Sequence, residues 1–299
     1  MIRSYYESNA RARIAGLLDA ESFHEWLPAS ARVTSPHLAT LELPAAFDDG
    51  VVIGQGSLAG KQIFIAAQEG GFMGGAVGEV HGAKIVGVLE RAVRDLPTAV
   101  VLLLESGGVR LQEANAGLIA VSEVMRAILS ARAAGVPVIV AIGGQYGCFG
   151  GMGIAARCAS SIIMSEEGRL GLSGPEVIET ARGVEEYDSR DRALVWRTVG
   201  GKHRYLLGEC DNIVPDSMAA FQQAISACID NGDDWSLEAL QQEHQLLSDR
   251  VRQFGDCKDG RDIWRKMRWP DPDAIAMMGN DEFMAAAQGR RAKQTVKVP

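Results

Sequence analysis

The chain has little of what usually announces a function. Its five histidines include no H-E-x-x-H motif and no pair at helical spacing, so no protein-bound metal is expected from the sequence. Its five cysteines, at 148, 158, 210, 228 and 257, contain no C-x-x-C and are odd in number, which implies neither a zinc ribbon nor a disulfide framework. Positive charge is also short. Thirty Lys and Arg stand against 38 Asp and Glu, a net charge of −8, and no basic cluster could neutralise a row of phosphates. A nucleic-acid partner is therefore not expected. The longest apolar runs, around Ala99–Leu104 and Val136–Ile142, fall far short of the roughly 18 residues a membrane span requires. The opening MIRSYYESNARAR has no apolar segment of the secretory kind, so the expected compartment is the cytoplasm.

What the chain does have is glycine and a core. Hydrophobic residues make up 47% of its 299 positions, enough for one large domain. Glycine, at 34 residues, is about 11% against the usual ~7%. The placement of these glycines is informative. Positions 2–18 read as an N-terminal helix, and 31–47, flanked and interrupted by Pro28, Pro36 and Pro44, as an irregular connector. From Gly50 two β-type runs, GVVIGQGSL and KQIFIAAQ, form a hairpin with Gly60 at its bend. A glycine loop, EGGFMGGAVG, then leads to a helix over 79–96 that Pro97 ends. The next unit repeats the order: the strand TAVVLLLE, the loop SGGVR, and a helix over 112–134 closed by Gly135 and Pro137. A third runs VPVIVAIGG, QYGCFGGMG and a short helix through Cys158. A fourth strand, SSIIMSEE, precedes a helix starting at Gly174–Pro175. Beyond about Ala219 the chain reads as helical, with Ser236 as one N-cap and Gly255 as the stop of that helix.

Unbroken apolar strands alternating with loops and helices predict an α/β fold with right-handed crossovers. Periodicity does not decide between a doubly wound sheet and a spiral. The chain reads as a single domain, with an N-terminal helix and connector at 1–49, a core at 50–218 and a mainly helical extension at 219–299.

Gly74–Gly75, Gly107–Gly108 and Gly150–Gly151 fall at corresponding points of successive units. Each pair reads either as a tight turn or as backbone presenting N–H groups to a ligand oxygen at the positive end of a helix. Residues 151–156 match G-x-G-x-x-A, with Glu166 and Glu167 ending the next strand. A dinucleotide fingerprint should nonetheless follow its strand directly and open a longer crossover, and this one does neither. Ser106 and Ser173 lie among glycines but outside G-x-S-x-G, with no histidine placed as base.

The run from GQGSLAGKQIFIAAQEGGFMGGAVGEVHGAKIVGVLERA through ESGGVRLQEA to GGMGIAARCASSIIMSEEGRLGLSGPEVIE, about 50–215, resembles the N-terminal half of the acyl-thioester carboxyltransferases of the crotonase-like superfamily. LLDAESFHEW is similar to that family's entry segment. The four-cysteine zinc module of the acetyl-CoA carboxylase β subunit is missing. Taken together, N-terminus, core and tail are most similar to the β subunits of biotin-independent malonate decarboxylases. The resemblance implies a crotonase-like spiral of ββα units. It implies, with a homologous γ subunit, decarboxylation of a malonyl thioester on an acyl carrier protein to acetyl thioester and CO2, in a complex that includes a carrier transferase. No cofactor is held by the chain itself; the substrate rides on the carrier's phosphopantetheine arm.

Loss of CO2 leaves an enolate, whose charge rigid backbone N–H groups can stabilise. By this resemblance Gly107 and Gly108 are the first candidates for the oxyanion hole and Gly150 and Gly151 the second. Gly74 and Gly75 would shape the pantetheine channel or simply pack closely. Tyr146, Glu113 and His81 are candidate proton donors, each with a plainer reading: a loop-capping hydroxyl, a solvated helix face, a helix-start histidine. Arg11, Arg13 and Arg110 could meet the arm's phosphate, or form ion pairs. The alternatives are a carboxyltransferase β subunit of a biotin-dependent acyl-CoA carboxylase, a non-catalytic scaffold, for which intact glycine pairs are not expected, and a stand-alone hydratase or isomerase.

Overall fold

The computed structural model describes residues 4–291. Its elements run α1 (Ala10–Leu17), β1 (His24–Trp26), α2 (Pro36–Thr40), β2 (Val51–Leu58), β3 (Lys61–Gln68), α3 (Glu79–Asp95), β4 (Ala99–Leu103), α4 (Asn115–Ala133), β5 (Val138–Ile142), α5 (Gly150–Arg157), β6 (Ser161–Ser165), α6 (Pro175–Arg182), α7 (Arg192–Val199), α8 (Gly201–Leu206), β7 (Asn212–Val214), α9 (Met218–Asn231), α10 (Leu237–Phe254), α11 (Gly260–Lys266) and α12 (Asn280–Ala287). The first helix is shorter than the sequence pattern suggests: Asn9 caps it by accepting the Ala12 N–H at 2.9 Å. Positions 2–3 lie outside the described residues. The connector contains β1 and α2, too short for periodicity to reveal. The hairpin turns at Ala59–Gly60, both with positive φ, which matches the twist of its strands.

The seven strands lie in chain order in one sheet. β1, β2 and β3 pair antiparallel, and β3 through β7 pair parallel. A doubly wound sheet reverses its strand order; this one never does, so successive right-handed crossovers deposit α3, α4 and α5 on the same face. Strand alternation shows the consequence. Val100, Leu102, Val138 and Val140 face Ile85, Leu89, Val124 and Ile128 of α3 and α4, while Val101, Leu103, Ile139 and Ala141 face Ile14 of α1 and Phe221 and Ile225 of α9. Single parallel bridges, Val77–Val109, Ser106–Cys148 and Cys148–Leu170, add a second, short ladder beyond the strand ends. A second β segment in each unit is what the resemblance to a crotonase-like spiral implies.

The helical segment from 219 onward is divided. α9 completes the main core, whereas Trp264, Trp269, Ile275 and Phe283 form a separate cluster with Leu206 and Ile213. The spiral's packing thus ends after α9. In α10 the Ser236 hydroxyl accepts the Ala239 N–H at 3.1 Å, as the sequence implies. Ser236→Ala is expected to lower stability by about 1 kcal/mol, measured as a shift of the urea midpoint at unchanged slope; no shift would show that this cap contributes nothing.

Candidate active site

Three loops meet beyond the carboxyl ends of β3, β4 and β5, where parallel α/β sheets place their ligands. Glycine permits their approach. Gly108 has φ 121° and Gly150 φ 59°, and a Cβ on Gly150 would lie 3.1 Å from the Gly108 Cα. A Cβ on Gly75, at φ 67°, would run into the Glu105 carbonyl, so close packing requires glycine here.

The hydrogen bonds reorder the candidate oxyanion donors. The Gly107 N–H donates to the Gly74 carbonyl at 2.8 Å, the Gly108 N–H to the Ser106 hydroxyl at 3.1 Å, and the Gly150 N–H to the Leu172 carbonyl at 3.1 Å. These three amides, expected to be free, are occupied by bonds that hold the loops to each other. The Gly151 N–H is different. It sits in the first turn of α5, where no preceding helical carbonyl can reach it, and it has no acceptor among the described residues. The Met152 N–H that follows it is likewise unpaired among them. The donors at this junction are therefore those of α5, reinforced by the positive end of the helix, with the Gly107–Gly108 loop as the facing wall.

The side-chain candidates separate in the same way. Tyr146 is half exposed on the β5 loop, its ring against Gly70 and its N–H held by Glu105 Oε1 at 3.1 Å. It retains the exposure a proton donor needs. His81 does not: it is fully buried, with its ring nitrogens on Gln68 Nε2 and the Asp49 carbonyl, both at 3.0 Å. Burial and the Arg110 charge push its pKa down to about 3, so near neutrality it is a neutral imidazole with no imidazolium proton to give. Glu113 is buried against Arg110 at 2.6 Å and accepts the Glu79 N–H at 2.8 Å. Burial alone would raise its pKa, but these bonds hold it below the usual carboxylate range, which rules against a general acid.

All three arginines are paired with carboxylates. Arg13 is buried on Glu105, Arg110 is buried between Asp49 and Glu113, and the exposed Arg11 is paired with Glu25 and Asp48. What sequence reasoning missed is Glu105. At the end of β4, it ties α1 through Arg13 to the Tyr146 loop, with Gly70 and Gly144 making room for its carboxylate. A lone acidic residue closing an apolar strand is the only signal the sequence offered.

Sheet order, same-face helices and the glycine junction define an α/β protein of the crotonase-like class. The chain belongs to the carboxyl transferase domain family, which it matches over residues 7–225. It is 40% identical over 97% of its length, and 97% of the relative's, to the malonyl-S-ACP:biotin-protein carboxyltransferase of Malonomonas rubra. A Pseudomonas malonate decarboxylase hetero-tetramer solved in complex with malonate contains a chain 41% identical to it, with TM-score 0.80, covering 89% of this chain and 97% of that one. A chain of the Pseudomonas hetero-dimer is 39% identical, with TM-score 0.67, covering 85% and 97%. Within the family the chain thus groups with malonate decarboxylase subunits, and it is an enzyme subunit.

Proposed function

We propose that this chain is the β-type subunit of a malonate decarboxylase: with a homologous second subunit it converts malonyl-S-acyl carrier protein to acetyl-S-acyl carrier protein and CO2, without biotin. The observation that carries the reading is the unpaired Gly151 amide at the start of α5. Breaking the bond between carboxylate and α-carbon leaves the electron pair on an enolate, with its charge largely on the thioester oxygen. A fixed N–H aimed at that oxygen is worth more in the transition state than in the bound thioester. The enolate carbon then takes a proton, for which Tyr146 is the exposed candidate on this chain and water or the second subunit the other sources. No metal takes part in this scheme; the carrier's phosphopantetheine arm delivers the substrate. The reaction belongs in the cytoplasm.

The need for a second subunit is supported by the elements around the junction, which leave large apolar side chains in solvent. Leu111 is 84% exposed, Leu172 70%, Ile119 62% and Leu118 58%. Such side chains grouped on one region mark a protein-binding face. The structural relatives that share the whole fold were solved as a hetero-dimer and a hetero-tetramer.

The M. rubra relative favours a second reading, in which the carboxyl group passes to a biotin protein. Both readings break the same bond and share the enolate; they differ in the acceptor. Co-expressed with a homologous subunit and given malonyl-S-acyl carrier protein, the complex is expected to release CO2 without any biotin protein, and the isolated chain to be at least about tenfold slower. CO2 release or carboxyl transfer that occurs only when a biotinyl protein is added would replace the decarboxylase reading. Full activity of the isolated chain would end the two-subunit reading.

A further inference from the structure

A second cluster of ligating side chains lies on the other side of the 105–113 loop. His37 is on α2, Glu79 opens α3, and Glu113 ends the short 3-10 turn Leu111–Glu113. One ligating atom from each lies within 4.8 Å of the other two. His37 Nε2 stands 2.5 Å from Glu79 Oε2, so an imidazole and two carboxylates converge on one point. The surroundings are organised rather than accidental. Glu113 is oriented from behind by Arg110, at 2.6 Å on Oε1, and Arg110 is itself gripped by Asp49 at 3.1 Å, all with buried side chains. Outer partners of this kind fix the ligand oxygen that faces a metal.

An independent feature points to the same place. Ser35, the N-cap residue of α2, is 1% exposed, and its hydroxyl has no hydrogen-bond partner of good geometry while lying beside the Glu113 carboxylate. A buried hydroxyl without a partner is costly unless something occupies the space it faces. Asp49 and Glu113 share the Arg110 guanidinium, and Glu79, whose N–H is bound by Glu113, pairs with His37.

We propose that His37, Glu79 and Glu113 form a binding site for a divalent transition metal, Zn2+ by its ligand set, with a fourth position for a water that the Ser35 hydroxyl is placed to receive. Histidine nitrogen and carboxylate oxygen bind zinc at about 2.0–2.2 Å, which puts tetrahedral ligand atoms roughly 3.3 Å apart. The observed cluster reaches that spacing through side-chain rotation of the two exposed members, His37 and Glu79. The site staples α2, in the proline-rich connector, to the segment joining the Gly107–Gly108 wall to α4. Its role is structural, outside the reaction. Spacings of 42 and 34 residues hide such a site from any motif search, which is why the sequence implies no metal.

The test uses the full chain stripped with EDTA and titrated with Zn2+ alone, by calorimetry and by melting temperature. One zinc per chain is expected, with a rise in melting temperature. His37→Ala and Glu79→Gln should each weaken binding at least about tenfold and remove that rise. Both positions are about half exposed, so the variants fold, as circular dichroism would verify. Cys158→Ser and Cys257→Ser should leave binding unchanged. No zinc bound, or zinc bound as tightly by His37→Ala as by the parent, would overturn the site, as would binding lost only in the cysteine variants; the His37–Glu79 contact would then be an ordinary surface ion pair.

Discussion

Gly151→Pro, built with Val121→Ala, is expected to reduce turnover about 10²–10³-fold relative to Gly151→Ala in the same background. The two variants differ in little but the N–H. A Cβ at 151 would sit 2.6 Å from a Val121 methyl, and Val121→Ala makes room for it equally in both. Proline is tolerated in the first turn of a helix, because the N–H it removes has no helical partner there, and Gly151 indeed has none among the described residues. The preceding residue is Gly150, which has no Cβ to meet the proline ring. Stability should therefore change similarly in the two variants while turnover separates. The readout is CO2 release by the assembled complex, with kcat and KM resolved. A loss in kcat at nearly constant KM locates the amide's contribution in the transition state. Equal turnover in the two folded variants would remove Gly151 from the oxyanion role and leave the neighbouring Met152 N–H as the remaining candidate donor at the start of α5.

That experiment targets a donor which the sequence located only as one of four. The repeated order of strand, glycine loop and helix was visible because each element has its own periodicity, and β3 through β6 and the helices between them lie where that pattern puts them. β1 and α2 were not visible: three and five residues long, they are fixed by pairing and packing rather than by their own composition. Among the glycines the difficulty is of another kind. A paired amide and a free amide have the same residue letter. In the sequence pattern Gly107 and Gly151 both lie between a strand and a helix; in the structure Gly151 is in the first turn of α5, while Gly107 lies well before α4 with its N–H on the Gly74 carbonyl. Charged side chains misled for a related reason. Arg13 and Arg110 read as phosphate contacts or ion-pair partners; they are ion-paired, but with Glu105 and Asp49, 92 and 61 residues away, and as buried internal ties rather than at the surface.

The strongest of those ties predicts the largest loss of stability. Arg13→Met is expected to destabilise the chain by about 3–5 kcal/mol, because it leaves the Glu105 carboxylate buried without its cation. Both side chains are almost completely buried. Glu105 would keep only the Tyr146 N–H at 3.1 Å, while the Arg13 bond to the Tyr5 carbonyl at 3.0 Å and the stacking of its guanidinium over the Tyr5 ring would both go. Met fills similar volume with no charge, so the loss reports electrostatics more than a cavity. The second variant decides between the two. Glu105→Met added to Arg13→Met removes the stranded charge as well, and the double variant should recover much of the loss, since replacing both members of a buried pair by apolar residues is often close to neutral. Urea unfolding of the parent, both single variants and the double variant measures the coupling. Additive losses would mean that the pair does not act as a unit and that α1 is held by its apolar face and its other hydrogen bonds. Activity gives an independent reading of the same tie. The double variant, stable but lacking the Glu105 oxygen that holds the Tyr146 backbone, should turn over more slowly than the parent if the position of that loop matters to the site, and restored stability with unchanged turnover would separate the architecture of this corner from the chemistry.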